Sequence, residues 1–212
     1  MKWKQMLAIG MSAVTIMSAV PGGSILVHAD TKTEVTKESG EKTSKGASVK
    51  AFMKSSEYGN VVYRDTISDE TNGTDITWTV YDSGKLVIDG TGVTPDWSPW
   101  FYYKEDITDV IIGDGITALG ERNFMNYPEL RTVTIQGNLS KIGNSAFEGC
   151  KKLKNITVEG ATNGAGLKVL MLGQCAFKDC TGLENAEFTG NFVTYKNAFE
   201  GCTSLRSVKV KE

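Results

Sequence analysis

The chain has 212 residues, with 23 basic and 25 acidic side chains and a net charge of −2. That balance carries no basic excess for nucleic acid or an anionic membrane surface, so neither is an expected partner. The single histidine is His28; if it leaves with the leader described next, no imidazole remains as general base, nucleophile activator or metal ligand.

Residues 1–29 have the layout of a secretory signal peptide. Lys2 and Lys4 precede an apolar run from Met6 to about Val20, and Val27-His28-Ala29 sets small residues at −3 and −1 before Asp30. The alternative is a membrane anchor. The run is interrupted by Ser and Thr and broken at Pro21-Gly22-Gly23, which makes it short for a span. No cysteine stands at the cleavage site, and Lys209-Val-Lys-Glu212 shows neither apolar tail nor sorting motif. A secreted, extracellular product is expected, released rather than anchored or membrane-inserted. Residues 30–57 are Lys, Glu, Ser, Thr and Gly with almost no apolar content, the composition of a disordered linker.

Residues 58–105 read as a small β cap. Ile76, Trp78 and Val80 alternate with Thr77, Thr79 and Tyr81; Asp82-Ser-Gly84 is turn chemistry, and Leu86 and Ile88 resume the alternation. This pattern predicts a β-hairpin. Trp97, Trp100, Phe101, Tyr102 and Tyr103 then cluster just ahead of a repeat.

The repeat occupies 106–212. Asn144-Ser-Ala-Phe-Glu-Gly-Cys150, Gln174-Cys-Ala-Phe-Lys-Asp-Cys180 and Lys196-Asn-Ala-Phe-Glu-Gly-Cys202 are near-copies, each followed by two residues and then Leu153, Leu183 or Leu205. Recurrence at this spacing marks a solenoid, in which stacked units bury what one unit cannot. Ile107, Leu130, Leu153, Leu183 and Leu205 open segments whose next two apolar residues alternate as a short strand does. Leu119, Ile142, Leu172 and Tyr195 form a second apolar set, and Phe124, Phe147, Phe177 and Phe199 a third. The longer interval before Phe177 places a surface bulge in Gly160-Ala-Thr-Asn-Gly-Ala-Gly166. About four repeats and a final strand are expected, with the Phe rings sharing one interior column and the tryptophans closing its N-terminal end.

Cys150, Cys180 and Cys202 share one repeat position, filled by Tyr127 a unit earlier. A slot that accepts Tyr or Cys reads as an inward apolar position holding a buried thiol. Disulfides remain the alternative for these three and Cys175, since neighbouring coils bring such sulfurs close.

Leu130-x-x-Val133-x-Ile135-x-x-Asn138 resembles the opening of a leucine-rich repeat. With Ile142-Gly-Asn-Ser-Ala-Phe147 and Cys150, residues 72 to 212 resemble the BspA-like bacterial leucine-rich-repeat surface proteins. The resemblance implies a mostly β solenoid with one short parallel strand and a short helical or turn segment per coil. It also implies a non-enzymatic extracellular role in protein binding or adhesion, with an extracellular or host-surface protein as partner.

Two surfaces are candidate sites. The outward strand residues form polar columns of mixed charge, and Arg131, Thr134, Lys154, Thr157, Glu184, Glu187, Arg206 and Lys209 are the expected protein contacts. Their alternative is a plain solvated face. Trp97, Trp100 and Tyr102, flanked by Asp96 and Glu105, could instead stack on a glycan; the structural reading makes them the cover of the solenoid end. No catalytic residue, cofactor site or metal site is expected. Phosphate-loop and nucleophile-elbow spacings are missing, Asp65, Asp69, Asp75 and Asp89 do not follow a calcium loop, and scattered carboxylates do not make a glycosidase pair. Lys209, Lys211 and Glu212 blunt the last strand, leaving weak self-association through that edge as a further expectation.

Overall fold

The computed structural model describes residues 55–160 and 169–211. The expected leader, the expected linker up to residue 54, the expected bulge after Gly160 and the terminal Glu212 lie outside the described residues. A single helical turn, Ser55–Tyr58, precedes twelve described strands. These are β1 (Val61–Asp69), β2 (Thr74–Tyr81), β3 (Lys85–Val93), β4 (Asp109–Ile112), β5 (Ile116–Leu119), β6 (Thr132–Leu139), β7 (Lys141–Ile142), β8 (Asn155–Gly160), β9 (Val169–Leu172), β10 (Asn185–Thr189), β11 (Asn191–Thr194) and β12 (Ser207–Lys211). A 3-10 turn covers Pro99–Tyr103.

The predicted hairpin is β2–β3, antiparallel, with Trp78 opposite Ile88 and Val80 opposite Leu86. β1 pairs antiparallel with β2 on its far side. From β3 onward the pairing is parallel, along two ladders. One runs β3-β4-β6-β8-β10-β12 and the other β3-β5-β7-β9-β11. β3 serves both, through Lys85–Ile88 on β4 and Gly92–Val93 on β5. Each coil is therefore a strand of the first ladder, a turn, a strand of the second, and a broad loop. The second strand per coil goes beyond the single strand expected, and Leu119, Ile142 and Leu172 are its inward residues.

Between the ladders the inward side chains form continuous columns. Leu86, Val110, Val133, Ile156 and Ala186 make one, and Ile88, Ile112, Ile135, Val158 and Phe188 its neighbour, all buried. The small Ala186 beside the large Phe188 holds the filled volume of that coil near that of the others. In the broad loops Phe124, Phe147, Phe177 and Phe199 stack at 5.1, 5.3 and 5.2 Å with interplanar angles of 7°, 1° and 8°. The expected common column is thus formed.

The Ala-Phe pair follows from the loop geometry. Phe124 N–H donates to the Ala146 carbonyl at 2.7 Å, Phe147 to Ala176 at 2.8 Å, and Phe177 to Ala198 at 2.8 Å. Ala leaves room for the neighbouring loop, and its carbonyl satisfies the buried amide. Arg122, Ser145, Cys175 and Asn197 share a left-handed backbone, φ 54–62°, and Trp97 matches them at φ 52°. The segment before the expected repeat boundary is accordingly a coil itself. Trp100 stacks on Phe124 at 6.0 Å and 22°, taking the Phe position. Trp78, Tyr63 and Tyr103 then close the N-terminal end over it. At the other end the columns lose their cover: Val208 is 42% and Val210 53% exposed.

Phe177 is enclosed between two rings. Its replacement by Ala is expected to cost about 3–5 kcal/mol in urea unfolding. Phe199→Ala, where one ring face is already open, should cost less, about 1–2 kcal/mol. Equal losses would contradict the column. Tyr127 is buried with its hydroxyl unpartnered among the described residues. Tyr127→Phe is therefore expected to be neutral or to stabilise by up to about 1 kcal/mol.

Candidate functional site

The outward positions of the first ladder fall into the columns read from the sequence. Asp109, Thr132, Asn155, Asn185 and Ser207 are Cα partners in succession, as are Ile111, Thr134, Thr157, Glu187 and Lys209. Along the strand entry Arg131 N–H reaches the Thr108 carbonyl at 2.7 Å. Lys154 reaches Arg131 at 2.9 Å, Glu184 reaches Lys154 at 2.9 Å and Arg206 reaches Glu184 at 3.0 Å. All eight expected protein-contact residues therefore lie along one strip of the molecule.

These columns differ in how far they satisfy themselves. In the first, the Thr132 and Thr108 hydroxyls donate to the Asp109 carboxylate, Asn185 Nδ2 donates to Asn155 Oδ1 at 3.1 Å, and Ser207 Oγ donates to Asn185 Oδ1 at 3.1 Å. In the second, Lys209 Nζ sits 3.3 Å from Glu187 Oε1. In the third, Arg131 lies near Glu129. The Glu129 carboxyl is held below its ordinary range first by a hydrogen bond from Lys152, then by the charges of Lys152 and Arg131. Lys154 and Arg206 are exposed, and among the described residues neither has a carboxylate at ion-pair distance.

The aromatic candidates are not brought together. Trp100 is fully buried between Trp78 and Phe124 and presents no ring face to solvent, which excludes it from a glycan platform. Trp97 (55% exposed) and Tyr102 (88% exposed) point outward. The Arg122 guanidinium lies 5.3 Å from the Trp97 ring, and Lys104 Nζ lies 4.7 Å from the ring of Phe101.

The cysteines are free thiols. Cys150 Sγ donates to the Phe124 carbonyl at 2.9 Å, Cys180 to Phe147 at 3.0 Å and Cys202 to Phe177 at 3.0 Å. Each bond crosses to the preceding coil, which explains the Phe-x-x-Cys spacing. Burial pushes the Cys150 thiol up to about 12 and Cys202 up to about 11, and raises Cys180 as well. Thiols held protonated in this way are poor nucleophiles.

Some features had weaker sequence signals. The first coil could have been found from Trp100-x-x-Tyr103, which repeats the spacing of Phe124-x-x-Tyr127. Tyr195 was expected beside Leu119, Ile142 and Leu172. Thr194 is instead the Cα partner of Leu172, and Tyr195 lies one residue further on, 57% exposed.

Residues 98–212, just over half the chain, match the BspA type leucine rich repeat region in its six-copy form. The chain belongs to this family. Among solved structures, it is similar to a leucine-rich repeat protein from Eubacterium ventriosum ATCC 27560, at 22% identity and a TM-score of 0.47 over 71% of this chain and 45% of that one. It is also similar to a leucine rich cell surface protein from Faecalibacterium prausnitzii A2-165, at 16% identity and a TM-score of 0.33 over 69% of this chain and 54% of that one. The chain thus spans about half the length of these structures. No curated protein matches it.

The thiols give a pH signature for this BspA-type stack. A thiol pKa raised on folding contributes stability that is complete below its unfolded value near 9 and lost as pH rises toward about 12 for Cys150. The slope over that window is up to about 1.4 kcal/mol per pH unit for each such thiol. Cys150→Ala is expected to flatten urea-derived stability between about pH 9 and 11 relative to the parent. Identical slopes would place that thiol outside the core. At about pH 8 Ellman's reagent should leave Cys150 and Cys180 unreacted until denaturant is added.

Proposed function

We propose that this BspA-type repeat protein is a secreted, non-enzymatic binding module that holds an extracellular or host-surface protein against the outer face of β4, β6, β8, β10 and β12. One observation carries the reading. The inner polar column hydrogen-bonds to itself, whereas Lys154 and Arg206 stand exposed along the same strip with no carboxylate at ion-pair distance among the described residues. A surface whose interior is satisfied and whose border offers cations, with Arg131 a third, suits a partner of complementary acidity. Thr134 and Thr157 between them supply short hydroxyls that permit close approach. The leader expected from the residues that follow Lys2 and Lys4 supports export. The protonated thiols support a role without covalent catalysis, as does the lack of any other imidazole in the sequence if His28 leaves with that leader.

Charge reversal at Arg131, Lys154 and Arg206 tests the face. The triple variant is expected to lose at least about tenfold in affinity for those members of an immobilised matrix-protein panel that the parent captures. Its melting temperature should be unchanged, because exposed side chains away from caps and core contribute little to stability. Unaltered capture would remove this face from the proposal, and no capture by the parent would leave a structural spacer.

A further inference from the structure

The second ladder carries a different surface. Ala118, Lys141, Met171 and Val193 are Cα partners in succession, and the last three are exposed. Immediately after each of these strands comes another column. Gly143 N–H bonds to Leu119, Gly173 to Ile142 and Tyr195 to Leu172, so Gly120, Gly143, Gly173 and Tyr195 are equivalent. The glycines answer to close coil contact: a Cβ on Gly143 would sit 2.5 Å from the Gly120 carbonyl oxygen, and one on Gly173 2.7 Å from Asn144 N. The β11 coil breaks the series with an exposed tyrosine beside bare glycine backbone.

A cleft of about 440 Å³ results, lined by Lys141, Asn144, Met171, Gly173, Gln174, Tyr195 and Lys196. This is within the roughly 300–1,000 Å³ of small-ligand sites. Its polar groups are unevenly committed. Asn144 is spent internally, donating to Glu121 Oε1 at 2.8 Å and accepting from Gln174 N–H at 2.9 Å. Lys141 and Lys196 have no carboxylate at ion-pair distance, and the Gln174 side-chain amide has no hydrogen-bond partner, among the described residues.

We propose that this cleft binds an anionic sugar unit of an acidic oligosaccharide. Lys141 and Lys196 take the carboxylate or sulfate, the Tyr195 ring packs on the C–H face of the pyranose, and the Gln174 amide meets hydroxyls. An acidic peptide is the less suited ligand. Peptides gain affinity at a sheet by pairing with a free strand edge; of the strands bordering the cleft, β7 and β9 are paired on both sides and only β11, at the end of the ladder, keeps an open edge. The site is separate from the outer face proposed above and does not depend on it.

The test is calorimetric titration of the full chain with a hyaluronan octasaccharide (carboxylate only), a heparin octasaccharide (sulfate and carboxylate), a neutral chitin oligosaccharide and a polyglutamate peptide. Binding to at least one acidic saccharide is expected, and which of them binds tells carboxylate from sulfate. That affinity should fall at least about tenfold in the Lys141→Gln, Lys196→Gln double variant and weaken as NaCl rises from about 50 to about 300 mM. Tyr195→Ala should weaken the saccharide at least about fivefold while leaving any polyglutamate binding unchanged. All three side chains are exposed, so melting temperatures should match the parent. The triple outer-face variant should retain saccharide binding, which separates failure of one site from failure of the other. Equal affinity for the neutral oligosaccharide, polyglutamate binding as tight as saccharide and indifferent to Tyr195, unaltered binding by the lysine variant, or no saccharide binding would each overturn the assignment.

Discussion

A coil of this chain has no interior until another coil lies on it. The main contacts that hold the solenoid cross from one coil to the next. They are the parallel strand ladders, the ring stack of Phe124, Phe147, Phe177 and Phe199, the Phe amides bonded to Ala carbonyls, and the thiols bonded to Phe carbonyls. Stability in such a stack is close to a sum of neighbour terms. The end coils show the consequence directly. Ile135 and Val158 are fully buried by coils on both sides, while Val210, in the same column with β10 on one side only, is half exposed. At the other end the same need is met by aromatic side chains, Trp100 packed against Trp78 and Trp78 in turn against Tyr103, rather than by another repeat.

This constraint explains which parts of the fold could be read from the residues. The Phe column was legible because one residue type recurs at a position with one set of neighbours. The outer columns were legible because parallel pairing carries the same register from coil to coil. β1 was not: its side chains are mostly exposed on both faces, so no alternation of apolar and polar residues records it. The second strand of each coil has four residues in β5, β9 and β11 and two in β7, too few to show a period. The first coil was hidden because Trp100 and Tyr103 do the work of Phe and Cys with bulkier rings. Tyr195 was misplaced by one residue for a related reason. An apolar residue was expected to point inward, but Thr194 holds the inward register and the ring falls at the glycine position.

The candidate sites were legible to a lesser degree. The residues of the outer strip were named correctly as neighbours, since neighbourhood follows from register alone. Their internal bonding was not visible, because whether Asn185 turns to Asn155 or to solvent depends on side-chain geometry. The aromatic cluster was legible in part. The sequence offers Trp97 and Trp100 together as the cover of the solenoid end; the stack gives that place to Trp100 and leaves Trp97 and Tyr102 exposed.

In a solenoid, recognition has to come from departures from the repeat. A residue that matches its column is held by what the column needs, as Cys150, Cys180 and Ala146 are. A residue that departs from its column without a structural cause is available for something else. Ala186 and Phe188 depart together and compensate in volume, so packing accounts for both. Tyr195 departs next to Thr194, which stands where Ile142 and Leu172 are apolar, and it replaces a glycine with a large exposed ring where Lys141 and Lys196 line one cleft. Packing does not require that ring, since more than half of it is left in water. A coil built only for stacking would keep the glycine there, and the tyrosine is therefore more economically explained by a ligand than by the fold.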